Sequence, residues 1–111
     1  MKILKNPLSR EEVVRIAEEQ YGDRIKAVVD IGKGILALGG ELHMDAAALL
    51  EDSGSSWKNL WGINVYPAEK ESRIEFDSMV NIKPASGNRS RYVDDSAVRE
   101  KIETIVRRLI L

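Results

Sequence analysis

Two runs of aliphatic and β-branched residues, Ile25 to Ile31 (IKAVVDI) and Ile35 to Leu38 (ILAL), are separated only by Gly32-Lys33-Gly34. Val and Ile favour the pleated backbone, and so short a glycine-bearing link joins two strands as an antiparallel hairpin. This commits the centre of the chain to a sheet, and the rest must supply further strands and a cover for it. Asn59 to Tyr66 (NLWGINVY) and Arg73 to Ile82 (RIEFDSMVNI) read as a second hairpin across the polar connector 68–72, and Lys2-Ile3-Leu4 reads as an edge strand stopped by Pro7.

Two segments carry helical spacing instead. Ser9-Arg10-Glu11-Glu12 is a capping-box pattern, followed by Val13, Ile16, Ala17 and Tyr21 with Gly22 as the stop, so a helix is predicted over 10–21. Asp94 and Asp95 open a final helix whose apolar stripe is Val98, Ile102, Ile105, Val106 and Leu109. Arg107 and Arg108 near its end suit the helix dipole. Residues 42–51 fit two readings. As a strand, Glu41, His43 and Asp45 share one face; alternatively a short helix starts near Ala46. The fold class is α+β, a meander-like antiparallel sheet of four to five strands with two main helices on one face. The expected core is Val28, Ile35, Leu38, Ile63, Val65, Phe76, Val80, Ile102, Ile105 and Leu109.

At 111 residues the chain suits a single domain, residues 1–111, large enough to need no disulfide. It has no cysteine, which excludes thiol chemistry and Cys-ligated metals. Its apolar runs fall far short of the roughly 20 residues of a membrane span. Met1 to Pro7 lacks the apolar core of a signal peptide, so a cytoplasmic protein is expected. The net charge is −1, divided into +1 over residues 1–39, −5 over residues 40–77 and +3 over residues 78–111. Without a basic excess, dedicated nucleic-acid binding is disfavoured.

Four places concentrate polar residues that propensity does not explain. His43, flanked by Glu41 and Asp45, is the only histidine and the candidate catalytic group. The competing reading is a solvated strand edge. With one His per chain and no HExxH, no metal site is assigned. In the LWGINVYP segment Trp61 is expected to anchor the core with its indole N–H hydrogen-bonded, and Asn64 is the candidate ligand contact. If strand 73–82 pairs with strand 59–66, Asn81 shares a face with Asn64 near the sheet centre. Finally, Asn88, Arg89, Ser90 and Arg91 follow Ser86-Gly87 just before the last helix, an arrangement suited to a small anionic ligand. It lacks P-loop spacing, so no nucleotide is implied, and the plainer reading is a solvated loop whose Arg pairs with Asp94 or Asp95. No cofactor motif and no GxSxG elbow is present.

The segments GGELHMD, LLEDSGS, LWGINVYP, FDSMVNIKP and GNRSR resemble a family of small prokaryotic proteins classed as a domain of unknown function. The resemblance runs from about Ile25 to Leu111. It carries over onto Gly39, Gly40, Glu41, His43 and Asp45, then Gly54 and Ser55. It continues through Trp61, Gly62, Asn64, Tyr66 and Pro67, and then Ser78, Asn81, Pro84, Gly87, Asn88, Arg89 and Ser90. At Ala47 the chain departs from the family pattern, where an acidic residue is common, which weakens an acidic ligand cluster. The family brings no activity, cofactor or partner with it.

The leading expectation is therefore a domain that binds a small anionic ligand or a protein partner, a second copy of the chain included. The alternative is a small hydrolase or nuclease-like enzyme using His43 with Glu41 or Asp45 and the Arg-bearing loop. A toxin–antitoxin component is a further alternative, by analogy of size alone. The first two predict one cleft uniting Glu41, His43, Asn64, Asn81 and Asn88–Arg91.

Overall fold

Alternate residues of the central strands are apolar on both sides, and the chain covers both faces of the sheet. A computed structural model describes residues 1–111. Five strands form one antiparallel sheet: β1 (Lys2–Leu4), β2 (Ile25–Asp30), β3 (Ile35–Leu38), β4 (Leu60–Tyr66) and β5 (Arg73–Glu75), in the order β1-β3-β2-β4-β5. Both predicted hairpins form. β2 and β3 pair from Ala27↔Leu38 to Asp30↔Ile35, and β4 and β5 from Asn64↔Glu75 to Tyr66↔Arg73. The turn between β2 and β3 is fixed by Asp30, whose carboxylate accepts from the Gly32 and Lys33 amides, both at 2.9 Å.

The order departs from a strict meander because β4 lies on β2, not on β3. β3 and β4 are each antiparallel to β2, hence parallel to one another, and a parallel pair needs a crossover. That crossover contains α2 (His43–Asp52), which resolves the undecided segment as helix. Ala46, Ala47 and Leu50 of α2 pack on Val28, Ala37, Leu60 and Val80. The small side chains let the helix sit close to the sheet, and Ala47 is fully buried there. α1 (Arg10–Gln20) and α3 (Ser96–Leu109) cover the opposite face, as expected, over Ile25, Ala27, Val29, Leu36, Leu38, Trp61, Ile63 and Val65.

Several local expectations are corrected. Ser9 caps α1 by accepting from the Glu12 amide at 3.2 Å, but the Glu12 carboxylate pairs with Arg15 instead of reaching back. Asp45 accepts from the Leu42 amide at 3.1 Å, so it closes the first turn of α2 rather than lining a strand. The predicted strand 73–82 ends at Glu75. It gives way to a single 3-10 turn at Met79–Asn81, opened by the Ser78 hydroxyl accepting from the Val80 amide at 3.1 Å. Asn64 and Asn81 therefore do not sit as alternating residues on adjacent strands. Phe76 and Ile35 are half-buried; Phe76 meets Tyr92 edge-on with ring centroids 6.2 Å apart.

Candidate functional site

Asn81 takes the place that a longer β5 would have filled. Its Oδ1 accepts from the Gly62 amide at 2.7 Å, and its Nδ2 donates to the Gly62 carbonyl at 2.9 Å and to the Arg91 carbonyl at 2.9 Å. Asn88 is equally committed. Its Nδ2 donates to the carbonyls of Asn81 and Tyr92, both at 2.8 Å, and its Oδ1 accepts from the Asp94 amide at 3.0 Å. Both side chains are buried and spend their hydrogen bonds on main chain, tying the segment 77–94 to β4.

On the α2 face, His43 lies over β4 and its Nε2 bonds the Ile63 carbonyl at 2.7 Å. A carbonyl only accepts, so Nε2 carries the proton and Nδ1 is the free acceptor. Burial pushes the imidazole below its ordinary value of 6.5, outweighing the bond to Ile63; Lys26 and Arg91 push the same way and Asp77 opposes them. Nearby, Asn64 Nδ2 donates to Glu75 at 2.8 Å. Arg91 donates to Asp77 at 2.7 Å, and Ser90 to the Asp94 carboxylate at 3.3 Å, so the arginine pairs elsewhere than with Asp94 or Asp95. Glu41 and Arg89 are exposed. The candidates thus divide. His43, Asn64 and the Asp77–Arg91 pair lie on one side, Asn81 and Asn88 are internal ties, and Glu41 and Asp45 do not join His43 in a metal-holding cluster.

The opposite side of β4 holds groups that motif reading passed over. Trp61 is followed by Gly62, and successive strand residues face opposite ways, so its indole lies away from His43. Its Nε1, expected to be bonded, is buried with no acceptor, and so is the Nζ of Lys83. Lys83 is only 4% exposed and Trp61 only 5%. The ammonium stands 3.9 Å from the centroid of Trp57 and 5.5 Å from that of Trp61. Indole faces attract a cation without offering it a hydrogen bond. Burial accordingly lowers the Lys83 pKa from 10.5 to about 8, with Glu51 opposing the shift from a distance. Lys83 is held there by its own main chain, which exchanges hydrogen bonds with Asn88 at 2.7 and 3.1 Å.

Trp61 forms part of the wall of a cavity of about 500 Å³, where Ile31 and Val98 complete the apolar side. Lys58, Asp94 and Asp95 supply charge, and Ser86 to Asn88 close the rim. Larger grooves exist, such as that of about 690 Å³ along α1, lined by Val14, Ala68 and Leu111 among charged residues of which Arg15 and Glu19 already pair. The sequence signal for the Trp61 cavity was present in two tryptophans four residues apart and a lysine directly before Pro84. Neither spacing is a motif, and only the fold brings Lys83 onto the indoles.

The family model for proteins of unknown function, DUF5674, matches residues 2–109. The chain belongs to the DUF5674 family. The matched residues include His43 and every residue of the Trp61 cavity wall. No curated protein and no solved structure matches the chain. No helix of this DUF5674 member is long and apolar enough to cross a membrane.

Proposed function

We propose that this DUF5674 protein is a ligand-binding domain, and that the ligand enters the Trp61 cavity with an acceptor group aimed at Trp61, which lines the cavity, and toward the Lys83 ammonium beside that indole, which does not line it. The observation that carries the reading is the pair of buried donors, Lys83 Nζ and Trp61 Nε1, with no acceptor in the protein. A buried donor without a partner costs about 1–3 kcal/mol, more when charged. Two such groups on adjoining side chains are a standing preference for a molecule that brings oxygen acceptors. The cavity volume of about 500 Å³ suits a small molecule, since such sites commonly span about 300–1,000 Å³. The apolar wall of Ile31, Val98 and Trp61 favours a ligand with a hydrophobic part beside its acceptor.

Indole emission reports the event directly, because Trp61 lines the cavity and the Lys83 ammonium stands 3.9 Å from the centroid of Trp57 and 5.5 Å from that of Trp61. Titration with phenylacetate is expected to change the emission saturably in the wild-type chain and in Arg89→Ala. Lys83→Met should lose the saturable change while keeping its far-ultraviolet circular dichroism. A response identical in Lys83→Met, or none in the wild type, ends this reading.

A further inference from the structure

The α2 face of β4 presents a nucleophile that the Trp61 cavity does not involve. The His43 ring lies over Gly62, where a methyl group would stand 3.2 Å from the imidazole Cδ2. Nε2 donates to the Ile63 carbonyl at 2.7 Å, which fixes the tautomer and leaves the lone pair on Nδ1. Nδ1 has no partner in the protein and, unlike the side-chain nitrogens of Trp61 and Lys83, is not shut off from solvent. A carboxylate in place of the Ile63 carbonyl would favour the protonated ring. The carbonyl orients the ring instead, and burial together with Lys26 and Arg91 keeps it neutral near neutrality.

The charged groups facing the ring are Lys26, Asp77 and Arg91. Lys26 stands opposite Asn64 on the β2–β4 ladder, so it shares the face of Gly62, two residues or about 7 Å along the strand. Its ammonium takes part in no ion pair. Arg91 spends only Nε on Asp77, at 2.7 Å, and keeps both terminal nitrogens free of protein bonds. The nearby carboxylates are occupied: Asp77 by Arg91, Glu75 by Asn64 at 2.8 Å, and Asp45 by the Leu42 amide at 3.1 Å. A neutral nitrogen nucleophile beside unspent cations is what the transfer of a phosphoryl group requires. We propose that Nδ1 of His43 is a phosphoryl-acceptor site, with Lys26 and the free end of Arg91 taking the phosphoryl oxygens. The donor class is a phosphoramidate. The Nδ1 lone pair forms the new P–N bond, the donor's own P–N bond breaks, and that electron pair leaves with the departing amine. The ring becomes an imidazolium whose Nε2 proton remains on the Ile63 carbonyl, a bond that the new charge strengthens.

The probe is potassium phosphoramidate, added to the full chain near neutral pH and followed by intact mass and phosphorus NMR. The chain is expected to gain one phosphoryl group, on Nδ1, at least about tenfold faster than N-acetylhistidine does under the same conditions. His43→Gln should gain none. Lys26→Met and Arg91→Gln, at half-buried and exposed positions, should each slow the reaction by about threefold or more with unchanged circular dichroism. A label on Nε2 or on another residue, a rate short of the margin over N-acetylhistidine, or cation variants that react as fast as the wild type would overturn the proposal. Each of these outcomes leaves the reading of the Trp61 cavity untouched.

Discussion

The Asn81 amide serves the Gly62 N–H and C=O together, a pairing that only a carboxamide makes at one point, with donor and acceptor side by side. Asn81→Ala leaves both main-chain groups buried and unmatched. At about 1–3 kcal/mol for each, a loss of about 2–6 kcal/mol is expected in urea denaturation, with an unchanged slope. A loss within the roughly 0.5 kcal/mol of an ordinary surface change would show that the turn rearranges freely. Arg89, exposed and free of side-chain hydrogen bonds and ion pairs, should stay within that smaller limit as Arg89→Ala. His43 permits a cleaner test, because one histidine gives one titration. Its imidazole is expected to titrate below 6.5 by NMR, with the proton of the neutral ring on Nε2. The sign of the linkage follows from the direction of that shift. The unfolded chain takes up a proton near 6.5 before the folded chain does, so the His43 contribution is complete above about 6.5 and is lost as pH falls from there through the lower pKa of the folded chain. A titration midpoint above 6.5 would contradict the burial argument.

At the scale of elements, Gly62 is the point where strand, helix and turn meet. A methyl group there would sit 2.4 Å from the Ser78 hydroxyl and 3.2 Å from the His43 ring. Gly62→Ala is therefore expected to cost about 1–3 kcal/mol or more through overpacking, and the double variant Gly62→Ala, Ser78→Gly should recover part of it in the same denaturation experiment. The elements differ in how far local sequence announced them. The two hairpins were legible because their apolar runs and short links leave few alternatives. α3 was legible because Val98, Ile102, Ile105, Val106 and Leu109 repeat at helical spacing over a long stretch. α2 was not, since Glu41, His43 and Asp45 alternate like a strand, while the deciding bond is the Asp45 carboxylate on the Leu42 amide. The segment 73–82 also alternates, yet its second half folds back because Asn81 finds Gly62 and Ser78 finds the Val80 amide. Both cases turn on one side chain meeting one backbone group, which hydrophobic periodicity does not register. The half-burial of Phe76 has the same origin: past Glu75 there is no strand to carry it inward, so Phe76→Ala should cost less than the about 3–5 kcal/mol of a core phenylalanine.

Across the whole molecule, the sheet separates two groups of polar residues that the chain order runs together. Asn81 and Asn88, read as ligand contacts, spend their amides on holding the turn segment to β4, and of the two only Asn88 reaches the rim of the proposed site at Trp61. No pattern in the sequence foretold this, because Lys83 differs from any surface lysine only in what the fold places around it. The burial of Lys83 carries a definite cost. A fall in pKa from 10.5 to about 8 corresponds to about 3 kcal/mol held against the charged form, at about 1.4 kcal/mol per unit. The indole contacts return about 0.5–2 kcal/mol. The charged lysine is thus a net burden on the empty protein near neutrality, and stability should climb as pH rises from about 8 toward 10.5, where only the unfolded chain still holds the proton. A residue that weakens the fold and is still built into its interior is what the proposed ligand-binding role calls for. The measurement that tests this most directly is urea denaturation of Lys83→Met beside the wild type at pH 7, without added ligand. The variant is expected to be more stable by about 1–3 kcal/mol at equal slope; a loss of more than about 1 kcal/mol would make Lys83 a structural prop and contradict a burden relieved by ligand.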